Sequence, residues 1–301
     1  MWVPALVADG GKGRPRLAYG RSRAGPDPVV ALHGITTTHR AFTTVARHLA
    51  HPSGMVGVDL RGRGDSGKPG RGNYGMHAHA ADVVRLMDAI GLERALVVGH
   101  SMGAFAATQT ALDHPGRVRG LVLLDGGWPR APLLSRGPRA EAAPLRAGLA
   151  KAFSRLELTF ADLDALVDFW FPGAGLGIDD LPPDVADLYR YDLTPAPGGW
   201  RAKCSLTAAR ADARFDAFRA PTPRALGRLA CPVALVRAGE GFAPGTPPTF
   251  TDALRASLVE RVELRADVLL DGATHYSMLA DQAHAARVAA VIDDLAATTA
   301  S

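Results

Sequence analysis

The sequence predicts an α/β protein: a mainly parallel central sheet with helices on both faces, plus a helical insertion between two of the later strands. Val29-Val30-Ala31-Leu32 and Ala95-Leu96-Val97-Val98 are apolar at every position, as expected of strands covered on both faces. Such runs alternate with stretches of helical periodicity, the pattern of parallel strands joined by helices. The alternation then breaks between Trp128 and about Arg228 and resumes afterwards, which marks an insertion. At 301 residues the chain has room for one large domain carrying such an insertion.

Taken in order, residues 1–27 hold Gly/Pro-rich turns around short extended pieces, the second near Arg16–Tyr19, suited to an antiparallel hairpin on a sheet edge. Val29–Leu32 leads into His33-Gly34-Ile35. A helix is expected around Phe42, Val45, Ala46 and Leu49, then a strand at Met55–Asp59 and a glycine-punctuated loop to Gly67. Ala81, Val84, Leu86, Met87 and Ile90 recur at helical spacing, and Gly91 marks the stop. Strands follow at Ala95–Val98 and Val118–Leu124, with an Ala-rich helix between them. After the insertion come Pro232–Ala238, an alternating strand from Arg261 to Val268, a loop Asp271–Tyr276 and a last helix.

The insertion has helical periodicity (Leu145, Leu149, Phe153; Leu163, Leu166, Val167, Trp170) and carries most of the large aromatics. It leaves the sheet just after Asp125, which predicts a cap lying across the carboxyl edge of the strands. The expected division is a core of 1–127 and 228–301 with a cap of 128–227.

Composition excludes several classes. The net charge is +4, and the arginines that dominate the basic residues are scattered rather than gathered into a stripe, so no nucleic-acid partner is expected. Cys204 and Cys231 have no metal-ligand spacing; they read as buried thiols, with a disulfide as the alternative. No other His/Cys/Asp/Glu grouping has metal spacing, so neither metal nor cofactor is expected. Met1–Ala5 lacks a charged leader, and no apolar run approaches a membrane span. A cytoplasmic enzyme is the expectation; the oligomeric state is not legible.

The chemistry centres on Gly99-His100-Ser101-Met102-Gly103. A strand before Gly-x-Ser-x-Gly and a helix after it make a sharp turn that lifts a serine above the sheet, a nucleophile elbow. A Cβ at either glycine is expected to clash with neighbouring chain. The helix start points the Met102 N–H toward developing negative charge.

Together with Leu32-His33-Gly34-Ile35, Asp59-Leu60-Arg61-Gly62-Arg63-Gly64-Asp65-Ser66 and Gly272-Ala273-Thr274-His275, this motif makes the chain resemble the α/β-hydrolase fold over essentially its full length. The resemblance implies a helical cap after the sixth strand and the catalytic order Ser…acid…His. Ser101 is then the nucleophile and His275, on a short loop after the last strand, the general base. Ile35 and Met102 would supply oxyanion N–H donors. In many such hydrolases the acid follows the strand after the cap, but Phe242 stands there. Asp125, at the end of the strand beside the nucleophile strand, is the favoured acid, as in relatives resembling zearalenone-lactone hydrolases and certain lipases; Glu240 is the alternative. His33, His100 and the Asp59–Ser66 loop read as structural.

The expected activity is cofactor-free hydrolysis of a carboxylic ester or lactone of an apolar or aromatic small molecule through an acyl-enzyme. Trp128 and Trp170 are the candidate substrate contacts. A carbon–carbon bond hydrolase, thioesterase, perhydrolase or non-catalytic ligand-binding homologue are the alternatives. A dehalogenase or epoxide hydrolase would need aspartate at position 101.

Overall fold

The computed structural model describes residues 2–7, 11, 14–70, 72–128, 143–215 and 223–299. The chain begins with β1 (Val3–Val7), β2 (Leu17–Arg21), β3 (Val29–Leu32), α1 (Thr43–His48), β4 (Met55–Val58) and α2 (Met76–Ala89). It continues through β5 (Ala95–His100), α3 (Met102–Asp113) and β6 (Val118–Leu124). The insertion follows, with α4 (Ala143–Ser154), α5 (Leu163–Trp170), α6 (Pro183–Asp192), β7 (Leu193–Ala196), β8 (Gly199–Ala202) and α7 (Leu206–Phe215). The short α8 (Pro223–Leu226) leads back to β9 (Val233–Ala238), α9 (Asp252–Val259), β10 (Leu264–Leu270), α10 (Ser277–Ala280) and α11 (Gln282–Thr299).

Among the described residues the central sheet has eight strands, in the order β1-β2-β4-β3-β5-β6-β9-β10. The first two pairings, β1 with β2 and β2 with β4, are antiparallel, so the expected N-terminal hairpin sits on the edge. Every later pairing is parallel. Successive side chains of a strand face opposite ways, and the core divides accordingly. Val30, Leu32, Val97, Leu121, Leu123 and Leu235 join Leu86, Phe105 and Leu254 of α2, α3 and α9 on one face. Val29, Ala31, Leu96, Val98, Val122 and Val236 join Val45 of α1 and Val288 and Ile292 of α11 on the other. Each fully buried Val, Leu or Ile contributes about 1.5–3 kcal/mol, which is why uninterrupted apolar runs are compatible only with two covered faces.

Three local expectations are corrected. The buried face of α2 carries Val83 rather than Val84, Ala81 is exposed, and Asp82 is buried because Arg61 Nε pairs with it at 2.7 Å. The last strand starts at Leu264, three residues after Arg261, because Arg261 still closes the end of α9 with a bond to the Leu258 carbonyl. The insertion is not wholly helical, since β7 and β8 form an antiparallel hairpin. Its turn, Pro197-Gly198, has Gly198 at φ 82° and leads into Gly199 at φ 140°, so this stretch is a reversal rather than a helix break. The part of the insertion at 129–142 and 216–222 lies outside the described residues. Among the described residues no helix is long and apolar enough to cross a membrane.

Candidate active site

The elbow follows from local sterics. Ser101 has φ 55° and ψ −120°, a conformation L-residues rarely hold, and it joins β5 directly to α3. An added Cβ at Gly99 would strike the Gly103 carbonyl and Ala104 backbone, and one at Gly103 would strike the Leu32 carbonyl. Both glycines are therefore required by close backbone approach, as the sequence predicts. Ser101 N–H donates to the Leu124 carbonyl at 3.0 Å, tying the elbow to the end of β6.

Asp125 follows β6 with φ 47°, the second non-glycine among the described residues in the left-handed region. Its backbone N–H donates to the Val236 carbonyl at 2.9 Å, which carries the carboxylate across to the end of β9. There Oδ2 accepts from His275 Nδ1 at 2.5 Å and from the Thr249 hydroxyl, while Oδ1 accepts from the Ala238 N–H at 3.4 Å. Asp125 is 1% exposed and His275 4%, so the pair meets out of water, where a charge-assisted bond is strong. A carboxylate can only accept, so His275 Nδ1 carries the hydrogen and Nε2 is the ring nitrogen left to exchange a proton.

The other candidate acid is not brought to His275. Glu240 is half-buried, and its backbone N–H donates to the Ala273 carbonyl at 2.9 Å. The neighbouring Gly241 carbonyl accepts the His275 N–H at 2.8 Å. The 239–241 turn thus holds the histidine loop by its backbone. Phe242 lies against the imidazole, ring centroids 4.6 Å apart, and against Tyr276 at 5.6 Å. A Cβ on Gly148 of α4 would enter the Phe242 ring, so the insertion passes directly over this wall.

His100 also packs against His275, with centroids 4.6 Å apart. Its Nε2 donates to the His275 carbonyl at 2.9 Å. Burial pushes its pKa down to about 3, and the neighbouring His275 adds to the shift, so His100 is a neutral support.

The turn after β3 brings Gly34 beside Ser101: a Cβ there would sit 3.5 Å from both Ser101 Cβ and His100 Nδ1. Its Ile35 is buried. His33 Nδ1 donates to the Gly34 carbonyl at 2.7 Å, and its Nε2 accepts the Leu60 N–H at 3.0 Å. That pair of bonds assigns the tautomer. Burial holds His33 neutral, with a pKa near 3, although Asp59 opposes the shift. The Ile35 carbonyl accepts from Arg63 Nε at 2.9 Å, and Arg63 Nη2 reaches Met102 Sδ at 3.6 Å.

The Asp59–Ser66 loop is a polar junction between core and insertion. Asp59 Oδ1 accepts from His39 Nδ1 at 2.8 Å, and Oδ2 from the Tyr191 hydroxyl at 2.6 Å. Burial alone would raise the Asp59 pKa, but the His39 bond and the His39, His33 and Tyr191 surroundings hold it well below the usual carboxylate range. Arg63 Nη1 pairs with Asp212 of α7 at 2.6 Å, and both are fully buried. Burial opposes ionisation of Asp212 as well, yet His79 and Arg63 keep its pKa low. Ser205 N–H donates to the Gly62 carbonyl at 2.8 Å, and Arg155 Nη2 to the Thr36 carbonyl at 2.7 Å.

The two tryptophans differ in position. Trp128 is 2% exposed and packs in the same core cluster as Phe105 and Leu123. Trp170 is half-buried and meets Tyr276 edge-on at 6.0 Å, next to His275. Cys204 is a buried free thiol whose Sγ lies 3.8 Å from the Ile35 carbonyl; burial raises its pKa to about 11. Cys231 is free and half-buried. Among the described residues no three His, Cys, Asp or Glu side chains gather as metal ligands would.

Sequence patterning did not single out Thr249, Asp212 or Arg155, and it placed Arg63 only within a loop read as structural. Each reaches the site from a distant segment: Thr249 through its bond to Asp125, and Arg63, Asp212 and Arg155 through buried ion pairs that no one-dimensional pattern marks.

Residues 27–161 match the family model of the alpha/beta hydrolase fold. Over 101 residues the chain is 39% identical to a fluoroacetate dehalogenase from Burkholderia sp., covering 32% of this chain and 33% of that protein. The chain spans between a third and about two fifths of the length of the first curated relatives it matches. The crystal structure of an E-2-(acetamidomethylene)succinate hydrolase superposes with a TM-score of 0.77 at 24% identity, covering 98% of this chain and all of that one. A hypothetical protein from Pseudomonas aeruginosa superposes with a TM-score of 0.73 at 26% identity, covering 98% and 99%. The sheet order, the elbow and these matches together show that the chain has the α/β-hydrolase fold.

Proposed function

We propose that the protein is a serine hydrolase that cleaves a carboxylic ester or lactone of an apolar small molecule through an acyl-enzyme. The observation that carries this reading is the buried Asp125–His275 bond, formed beside an elbow serine in a strained backbone conformation. A serine hydroxyl is a weak nucleophile until a base takes its proton, and His275 presents Nε2 for that purpose. Asp125 fixes the tautomer and stabilises the imidazolium that forms.

In this mechanism Ser101 Oγ bonds to the substrate carbonyl carbon as its proton passes to His275 Nε2. The carbonyl oxygen becomes an oxyanion and takes hydrogen bonds from the Met102 and Ile35 N–H groups. Collapse of the tetrahedral adduct breaks the ester C–O bond, and His275 returns the proton to the leaving alkoxide. Water, deprotonated by the same imidazole, then attacks the acyl-enzyme and releases the acid and free Ser101.

Similarity to a fluoroacetate dehalogenase over a third of its length does not favour carbon–halogen chemistry here, because position 101 is serine rather than aspartate. Phe242, Tyr276 and Trp170 form an aromatic wall at the base, which supports an apolar acyl or alkyl group. Trp128, within the core, is not part of that wall. The test is labelling with a fluorophosphonate followed by intact-mass measurement, and turnover of a panel of p-nitrophenyl esters, lactones and thioesters. One adduct, abolished in Ser101→Ala, together with ester or lactone turnover, is expected. Protein inert to the probe and to the whole panel would refute the proposal.

A further inference from the structure

Three consecutive carbonyls run through the turn after β3, and each accepts from a different buried side chain. Gly34 O is held by His33 Nδ1 at 2.7 Å, Ile35 O by Arg63 Nε at 2.9 Å and Thr36 O by Arg155 Nη2 at 2.7 Å. A carbonyl and the next residue's N–H share one rigid plane and point in opposite directions. Holding Gly34 O therefore aims the Ile35 N–H. Holding Ile35 O and Thr36 O fixes the two planes that follow, and with them the Ile35 Cα from which the first plane is set.

The first two clamps come from the core, but the third does not. Arg155 opens the single 3-10 turn Arg155–Glu157 after α4, in the insertion. Its Nη1 pairs with Asp192, the last residue of α6, at 2.5 Å. The guanidinium is 3% exposed. Burial disfavours its charge, but Asp192 beside it more than restores it, so the donor to Thr36 O is cationic. Such a bond is roughly twice as strong as one between neutral groups.

We infer that Arg155 is a positioning residue for the oxyanion loop, so that the insertion completes the geometry of the Ile35 donor as well as covering the site. The inference rests on the serine-hydrolase reading above. Arg155 touches no reacting atom in this role; it acts through the Thr36 peptide. Because the oxyanion develops on the way to the tetrahedral adduct and is absent from the bound ester, a loosened loop lowers kcat and leaves KM almost untouched.

The experiment compares Arg155→Lys with the wild type on an ester that the wild type hydrolyses. Lysine keeps a cation beside Asp192 but lacks the planar fork that reaches both Asp192 and the Thr36 carbonyl. The expected result is a fall in kcat of roughly ten- to a hundredfold with KM within about twofold, at a retained folded circular-dichroism spectrum. Affinity for an arylboronic acid, which forms a tetrahedral adduct on serine, should fall in parallel. Asp192→Asn keeps Arg155 and loosens its anchor, so it tests the same link if the lysine variant does not fold; a lower kcat is again expected. Unchanged kcat with only a lower Tm would overturn the inference. So would a raised KM at unchanged kcat, which would assign the guanidinium, whose Nε has no partner among the described residues, to the substrate. A wild type inert on every ester, lactone and thioester would overturn the serine-hydrolase reading itself, and the inference with it.

Discussion

His275 donates its Nδ1 hydrogen to Asp125 across 150 positions of chain, at 2.5 Å. The distance in sequence is bridged by two strand ends: Asp125 is tied to β9 through Val236, and His275 to the turn after β9 through Gly241. Thr249 and Ala238 supply two further hydrogen bonds to the carboxylate. The turn after β9 thus serves as a backbone support, and the carboxylate comes from the neighbouring strand.

Asp125→Asn should lower kcat on an ester substrate by about three to four orders of magnitude with the fold retained, because an amide in that place no longer enforces the His275 tautomer. Glu240→Gln should stay within about twofold of the wild type, since the structure gives its side chain no part in the pair. Steady-state kinetics on the two purified variants decides the matter. A dead Glu240→Gln beside an active Asp125→Asn would reverse the assignment.

Acid should destabilise the protein through His33 and His100. Both have folded pKa values lowered from 6.5 to about 3. Above pH 6.5 both are neutral in either state and the site is at full stability. Below it the unfolded chain binds protons that the folded chain refuses, so stability falls until about pH 3, where the folded form protonates too. The slope is about 1.4 kcal/mol per pH unit for each histidine. Urea midpoints measured between pH 7.5 and 4.5 should fall on the acid side. A flat or rising stability over that interval would contradict the assignment of these two as buried neutral groups.

The fold was legible because its signals are local. Val29–Leu32 and Ala95–Val98 could only be strands covered on both faces, and the glycines at 99 and 103 announced the close approach of the neighbouring backbone. Where the reading slipped, a long-range partner had overridden a local pattern. Asp82 faces inward on α2 because Arg61 meets it, which rotates the buried face from Val84 to Val83. In the insertion, periodicity found the helices but not the hairpin at Leu193–Ala202, whose strands are four residues each and carry little pattern.

The candidate site divides the same way. Ser101 and His275 lie in short motifs, and the meeting of Asp125 with His275 needed only the knowledge that neighbouring strands end on one edge. Trp170 lies beside Tyr276 at the base, whereas Trp128, adjacent in sequence to the strand end, is swallowed by the core. The arginine clamps on Ile35 and Thr36 join segments 28 and 119 residues apart, and no pattern in one dimension encodes such a meeting.

Gly103→Ala should not give a stable protein with a working elbow. Its Cβ would be driven into the backbone of Leu32 and His33, atoms that cannot step aside without moving β3 and the turn that holds Ile35. The cost should exceed the 1–3 kcal/mol typical of overpacking, roughly 3 kcal/mol or more. Soluble yield and urea denaturation read it directly, and wild-type stability would show that the elbow is looser than this geometry.

Asp212→Ala should be damaging twice over. Asp212 accepts from Arg63 at 2.6 Å, from His79 at 3.0 Å and from the Gly75 N–H at 2.8 Å. Its removal leaves a fully buried guanidinium without its counter-charge, a defect that costs about 3–5 kcal/mol. Arg63 also holds the Ile35 carbonyl, so the surviving folded protein should lose kcat as well as stability. A surface control, Asp179→Ala, removes an ion pair to Arg190 in which Asp179 is 90% exposed, and should change neither. Denaturation curves and ester kinetics on the two variants separate the effects. If Asp212→Ala loses stability but keeps full kcat at a temperature where it is folded, Arg63 holds the insertion in place without governing the oxyanion loop.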